Sequence, residues 1–394
     1  MAPVRIGIVG TGQRGRDYVQ LIKKTPGAEL TALCDTSAER LQSLARQFDC
    51  TVPCMTTSVA EMAGSAAVDA VVVTVPDRWH REVAETCFAA GKHVMLEKPM
   101  ALTAEDCRAI IRAQRASGRM LQMGFVMRCS PFYRMVRRVL DSGELGQVMS
   151  ISATEYLAVN HSASYMRRWH RRRENSGSFM LAKCSHDIDM LSWFAGAYPA
   201  RVASFGDNNF FLPSKQPATH CSKCPKAGEC PYRFEGEFVF MSEDEAREPS
   251  RKSFDLCVYN ADKNIVDNQV SIFEYANGVR ALFSLQLFRP QGTRQITVTG
   301  SRGYLWGDAS DNAAQLWHSS GNAPQRIAAE SAGESGHGGA DGRFVQEFVD
   351  AVRTGKPPVA DLRAGLASTV VGIALERARE EKRVVEIDPA EYAV

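Results

Sequence analysis

The stretch Arg5-Ile6-Gly7-Ile8-Val9-Gly10-Thr11-Gly12-Gln13-Arg14-Gly15 decides the fold. Its apolar, β-branched start reads as a buried strand, and the three glycines that follow permit a tight turn into a helix. Such a helix N-terminus points main-chain N–H groups at a pyrophosphate. A second strand, Leu30 to Cys34, leads into Asp35, twenty residues beyond Gly15, where a carboxylate can accept hydrogen bonds from an adenosine ribose. Gly10, Thr11, Gly12, Gln13, Arg14, Gly15 and Asp35 are therefore the expected dinucleotide contacts. The acid favours NAD over NADP, because it would repel a 2′-phosphate, while Arg40 nearby leaves dual use open. The plainer alternative is that the glycines only turn the chain and Asp35 only caps the next helix.

Outward from this segment, Val68 to Val75, His93 to Leu96 and Leu121 to Phe125 read as further buried strands alternating with helical patterns. That order specifies a parallel, doubly wound sheet. Thr36 with Glu39, and Thr103 with Asp106, have the capping-box spacing of helix starts, and the second of these helices carries Cys107, Ile110 and Ile111 on one face. The 394 residues exceed one ordinary core, so two domains are expected. A formal charge of +2 offers no broad basic field for nucleic acid or anionic membrane, and a small-molecule partner is expected instead. No apolar run is long enough to span a bilayer and no signal-peptide core follows Met1, which predicts a cytoplasmic location.

The segment Glu97-Lys98-Pro99 ends the fourth long strand, and a lysine there points into the crevice where this fold binds ligands. Together with the glycine turn, and with Thr74-Val75-Pro76 followed by His80, it resembles the Gfo/Idh/MocA oxidoreductases, named for glucose-fructose oxidoreductase and inositol dehydrogenase. The resemblance continues through Gly124-Phe125 with Arg128, through Gly177 to Asp189, and into Phe344 to Val352 and Pro357-Pro358. It implies an α/β protein: an N-terminal Rossmann domain with a doubly wound parallel sheet over 1–126, and a C-terminal α+β domain over 127–394 with a large open, mostly antiparallel sheet. A hairpin from Ser271 to Leu287 around Asn277-Gly278 is consistent with that sheet on sequence grounds. The resemblance also implies assembly into a homodimer or homotetramer, places Thr74, Pro76, His80 and Glu97 at the cofactor, and sets Lys98 beside the nicotinamide and the substrate hydroxyl. A lysine there can hydrogen-bond the reacting oxygen and exchange a proton with it.

The sequence departs from the family where an aspartate usually precedes the substrate-facing histidine by four residues. His186 matches, but the aspartate position holds Ala182, and Lys183 follows it. This resembles a variant branch of the family. His186 is the second expected acid-base group, and Lys183 is expected to replace the missing acid with a cation that favours an anionic substrate or a developing oxyanion. Just upstream runs Arg167-Arg168-Trp169-His170-Arg171-Arg172-Arg173. Charge runs of this kind are usually solvated, yet Arg168 and His170 are placed to reach an anionic group and Trp169 to stack on a sugar ring. Arg128, Tyr156 and His337 complete the expected substrate contacts, with His161 a further loop histidine.

Eleven cysteines in a long chain without an export signal suggest reduced thiols or metal ligands rather than a disulfide scaffold. Cys221, Cys224 and Cys230, with the more distant Cys257, supply enough thiolates to close a structural zinc site, with His220 as a substitute ligand. Free thiols and disulfides are the alternatives. The surrounding region, about 212–260, looks like a cysteine-bearing insertion found in some branches of the family.

The resulting expectation is an NAD-dependent enzyme that transfers hydride at a ring hydroxyl carbon of a carbohydrate or polyol, with an anionic sugar as one option. A second reading is an NAD-dependent glycosidase that works by transient oxidation, elimination, water addition and re-reduction on an anionic glycoside. A third is a cofactor-binding sensor without turnover.

Overall fold

The computed structural model describes residues 2–234, 255–321, 323–330 and 336–394; of the expected insertion, 235–254 lie outside the described residues. The chain divides into two compact units.

The first unit comprises Met1–Pro131, Ser331–Val370 and Tyr392–Val394. Its strands β1 (Val4–Val9), β2 (Ala28–Cys34), β3 (Cys54–Thr56), β4 (Ala70–Val73), β5 (His93–Leu96) and β6 (Leu121–Met123) form one parallel sheet in the order β3-β2-β1-β4-β5-β6. The order reverses direction between β1 and β4, so the ends of these two strands flank the crevice where such sheets bind ligands. Four of the five strands expected from the sequence are shorter or longer by one or two residues at an end, and β3, only three residues of mixed character, carries too short a pattern to be read in advance. Thr103 caps its helix as its spacing predicts, accepting from Asp106 N at 3.0 Å. The earlier cap is Ser37 rather than Thr36, because the Ser37 hydroxyl is the one that accepts from Arg40 N, at 3.2 Å.

The core of this unit packs Ile6, Ile8, Leu33 and Val72 against Tyr18, Val19 and Ile22, and also against Phe344, Val345, Phe348 and Val349 of the helix Gly336–Thr354. The late helix joins the first unit because its apolar stripe has i, i+1, i+4, i+5 spacing and one parallel-sheet face to cover. The chain thus returns to its N-terminal unit instead of parting once at 126/127.

The second unit comprises Phe132–Glu330 and Val371–Glu391. It is built on β7 (Val148–Ala158), β8 (Pro199–Asp207), β9 (Asn268–Tyr275), β10 (Arg280–Arg289), β11 (Thr293–Gly300), β12 (Gly303–Asp308), β13 (Ala313–His318), β14 (Gln325–Ala328) and β15 (Val385–Glu386). Their order is β14-β13-β12-β11-β7-β10-β9-β8-β15, antiparallel throughout except between β7 and β10. The hairpin of β9 and β10 turns at Asn277-Gly278 as expected, with Glu274 opposite Arg280 and Gly278 at φ +86°. Alternation buries Phe273, Tyr275, Ala281, Phe283, Leu285 and Leu287 on one face and leaves Val270, Ile272 and Leu282 on the other. Among the described residues no helix is long and apolar enough to cross a membrane.

Candidate active site

At the head of the first unit, Gly10 takes φ +93°, and a Cβ there would stand 2.8 Å from the Thr74 carbonyl carbon. A Cβ on Gly15 would meet the Gly10 oxygen at 2.0 Å. Both glycines are therefore forced by close packing of backbone on backbone. Gly12 differs: it is the N-cap of the helix Gln13–Lys24, it has no capping side chain, and a Cβ there would meet nothing within 4 Å. The helix N-terminus is thus approachable, as a phosphate-binding turn requires.

Asp35 stands where the sequence places it, buried, but its carboxylate is engaged. Thr11 donates to it through both its N–H and its hydroxyl at 2.8 Å, Ser37 N at 3.1 Å, and Arg40 Nη1 at 3.1 Å. Thr74 spends its hydroxyl on the Gly10 carbonyl at 2.6 Å. The side chains of Thr11 and Thr74 lock the turn, and Arg40 balances the acid that would otherwise repel a 2′-phosphate. Pro76 lies just before the short helix Asp77–Trp79.

Lys98 follows β5, held from two sides. Glu97 accepts from Arg14 Nε at 2.6 Å and from the Tyr18 hydroxyl at 2.9 Å, and its other oxygen accepts from Lys98 N at 3.1 Å. Burial would raise the Glu97 carboxyl, but the Arg14 guanidinium, with Lys98, holds it below its ordinary range. Arg14 also donates to Asp341 at 2.7 Å, and His337 Nδ1 stands 3.1 Å from that carboxylate. On the other side, the buried His80 places Nδ1 2.7 Å from the Pro99 oxygen and Nε2 3.1 Å from the Val75 oxygen. Gly124 is needed because a Cβ there would stand 2.9 Å from Glu97 Cα. Arg14, His80 and Glu97, expected at the cofactor, thus direct their side chains into the scaffold around Lys98. His337 joins the same network, and Arg128 Nη1 donates to the Val359 carbonyl at 3.2 Å. Asp77 was not anticipated: it is buried, burial pushes its carboxyl well up, and the Lys98 ammonium opposes that shift.

In the second unit His186 occupies the first turn of the helix Ser185–Ala195, buried, with Cys184 as N-cap. Around it lies a charged cluster. Lys183 Nζ stands 3.0 Å from Glu155, Arg294 Nη2 2.7 Å from the same oxygen, and Arg294 Nε 2.8 Å from Asp187. Glu155 on β7 and Arg294 on β11 face each other in the sheet register. Burial raises the Asp187 carboxyl to about 7, with Arg294 opposing and Glu155 adding to the rise. Lys183 is therefore not a lone cation taking the place of the missing acid; Glu155 compensates it. Glu155, Arg294 and Asp187 were missed, although Glu155 shares the inward parity of Ile151 and Leu157, and Arg294 that of Ile296 and Val298.

Much of the arginine run is ion-paired within its own unit. Arg171 and Arg172 pair with Asp262, and Arg173 with Glu376 and Glu380. Arg168 is half-buried just before the short helix Trp169–Arg171. Trp169 and His170 stack on each other at 3.7 Å, and His170 lies 4.6 Å from the Tyr165 ring, which neighbours His161 at 5.6 Å. Tyr156 carries the Arg289 guanidinium 4.6 Å from its ring centre. None of the eleven cysteines forms a disulfide. Among the described residues, Glu155, Cys184 and Asp187 are the group of three metal-ligating side chains whose atoms all lie within 4.8 Å of one another; Cys221, Cys224, Cys230 and Cys257 form no such group of three or more.

Residues 4–125 match the Gfo/Idh/MocA family described as an oxidoreductase family with an NAD-binding Rossmann fold, and residues 137–387 match its C-terminal alpha/beta domain. YteT of Bacillus subtilis (strain 168), an oxidoreductase by description only, is 24% identical over 91% of this chain and 91% of its own length. Inositol 2-dehydrogenase 3 of Saccharopolyspora erythraea is 35% identical over 48% of this chain and 53% of that protein. Among solved structures, an oxidoreductase domain protein from Kribbella flavida shares the fold with a TM-score of 0.79 at 20% identity, covering 98% of this chain and 100% of that one. Levoglucosan dehydrogenase in complex with NADH does so with a TM-score of 0.77 at 15% identity, over 98% and 99% of the two chains. With most of its length matched in two consecutive segments, the chain belongs to the Gfo/Idh/MocA family of oxidoreductases.

Proposed function

We propose that the chain is an NAD-dependent dehydrogenase of a neutral sugar or cyclic polyol, in which Lys98 meets the reacting hydroxyl and His186 is a second acid-base group. The observation that carries this reading is the scaffold of Lys98. Two independent anchors, Glu97 with Arg14 and Tyr18 on one side and His80 on the other, fix the main chain around one lysine at the ligand-binding edge of a dinucleotide sheet. Such preorganisation is characteristic of a group that must meet a reacting atom at a set distance.

The residues present fit the cofactor: the uncapped helix start at Gly12 suits a pyrophosphate, and Asp35 with Arg40 suits the adenosine ribose. NAD supplies the hydride acceptor when bound. Lys98 hydrogen-bonds the hydroxyl oxygen and holds the negative charge that develops there; His186 is proposed as a second acid-base group because imidazole titrates near neutrality. The substrate is taken as neutral because Lys183 and Arg294 are balanced by Glu155 and, above about pH 7 where it ionises, by Asp187. The inositol and levoglucosan dehydrogenases among the relatives support a polyhydroxylated substrate. The inositol dehydrogenases among the relatives favour this reading over the hydrolytic one. We also infer a homodimer that covers the apolar sheet face at Phe205, Val270, Ile272 and Leu282.

The test is Lys98→Ala, followed by NADH formation and by cofactor binding in parallel. Turnover is expected to fall about 10²- to 10⁴-fold with cofactor affinity retained; unaltered turnover sinks the assignment, and absent turnover in both proteins across a broad polyol panel favours a sensor.

A further inference from the structure

Four cysteines of the second unit each begin a reverse turn. The carbonyl of Cys221 accepts from Cys224 N at 3.1 Å, that of Cys224 from Ala227 N at 3.2 Å, that of Cys230 from Arg233 N at 3.1 Å, and that of Cys257 from Asn260 N at 3.0 Å. Pro225 and Pro231 sit at the second position of two of these turns, where the proline ring presets the backbone. A turn of this kind can aim the N–H of its third residue back at the first side chain. At Cys257 this is realised, because Tyr259 N–H donates to the sulfur.

The two segments that carry the cysteines are locked together. His220 and Leu256 form an antiparallel bridge, Cys221 N donates to the Asp255 carbonyl at 2.7 Å, and Cys257 N to the Thr219 carbonyl at 2.9 Å. Cys257 consequently lies within electrostatic reach of Cys221, Cys224 and Cys230. Arg167 closes the arrangement from the helix Val159–Arg167. It is 2% exposed, donates to the Tyr232 carbonyl, and has no hydrogen-bond partner at Nε. The groups within its electrostatic reach include Cys221, Cys257, Cys230 and Asp255. With the thiols neutral, Asp255 is the one anion among these four, and its Oδ2 already accepts from Ser222, so the buried guanidinium is under-compensated, which is costly. Four thiolates around one divalent ion carry a net charge of two minus, which answers it.

We propose that Cys221, Cys224, Cys230 and Cys257 form a tetrathiolate zinc site, with Arg167 as its outer counter-cation. No three of these sulfurs lie within 4.8 Å of one another among the described residues, so binding draws the four turns inward. Each thiol releases one proton to solvent as its sulfur takes a coordination position. Four protein ligands leave none open, so the site is structural and stands apart from the hydride chemistry.

The experiment is metal analysis of the full chain produced in zinc-supplemented medium, with cobalt exchange to report thiolate-to-metal charge transfer in the near ultraviolet. The expected result is about one zinc per chain, lost in Cys224→Ser and Cys257→Ser, and held about 10- to 100-fold more weakly by Arg167→Gln in a chelator competition. NADH binding by each variant serves as the check on folding. Metal-free protein that gives no cobalt charge-transfer band, with all four thiols reacting alike whether or not zinc is added, overturns the proposal. Iron in place of zinc overturns the choice of ion.

Discussion

At single residues, burial decides which charges are at work. Asp187 is raised to about 7 because it is buried, so the folded protein holds a proton there that the unfolded chain releases near 3.8. Its contribution to stability is therefore full below about 4 and lost as pH rises towards 7. Asp187→Asn removes this dependence, and denaturant unfolding at pH 5 and pH 8 reads it: the wild type loses stability over that interval relative to the variant, and parallel behaviour of the two contradicts the assignment. Arg294→Met leaves Glu155 with Lys183 alone and is expected to cost about 3–5 kcal/mol in the same assay, because a buried charge loses a partner. Glu97→Gln is expected to act on both rate and fold. Loosening the anchor of Lys98 lowers kcat about 10²-fold in an NADH assay, and Tm falls because Arg14 loses one of its two close carboxylates and keeps Asp341; an unchanged kcat removes Glu97 from any positioning role.

At the level of elements, legibility followed the reach of each signal along the chain. β1 and its glycine turn were readable because the strand, the three glycines and Asp35 all lie within one βαβ unit. The hairpin of β9 and β10 was readable because Asn277-Gly278 is a local turn between alternating strands. Pairings over long separations were not. Arg14 reaches Asp341 and Glu97, and Lys183 reaches Glu155, through contacts that no local pattern reports. The acids that pair with Arg171, Arg172 and Arg173, namely Asp262, Glu376 and Glu380, likewise lie far along the chain. The glycine turn offers a separation of fold from binding. Gly15→Ala places a Cβ against the Gly10 carbonyl and is expected to lower Tm, whereas Gly12→Ala meets open space and should leave Tm alone while weakening NAD binding. A Gly12→Ala protein with unchanged NAD affinity by fluorescence titration would show that the cofactor does not approach this helix start.

For the molecule as a whole, two sheets of opposite character divide the labour: a parallel sheet covered by helices on both faces, and an open sheet with one face left apolar. Phe205 at 66% exposure and Ile272 at 51% are costly to leave in water. Ile272→Lys on that face is expected to shift the sedimentation coefficient from dimer to monomer, and a wild-type protein that already sediments as a monomer contradicts the inferred assembly.

The central claim, net oxidation of a neutral polyol or sugar, is tested most directly by incubating the wild-type protein with NAD and a panel of inositols, free sugars and glycosides, following NADH absorbance and released aglycone together. The account predicts NADH accumulating in step with an oxidised product. Aglycone released over many turnovers with no net NADH would contradict it.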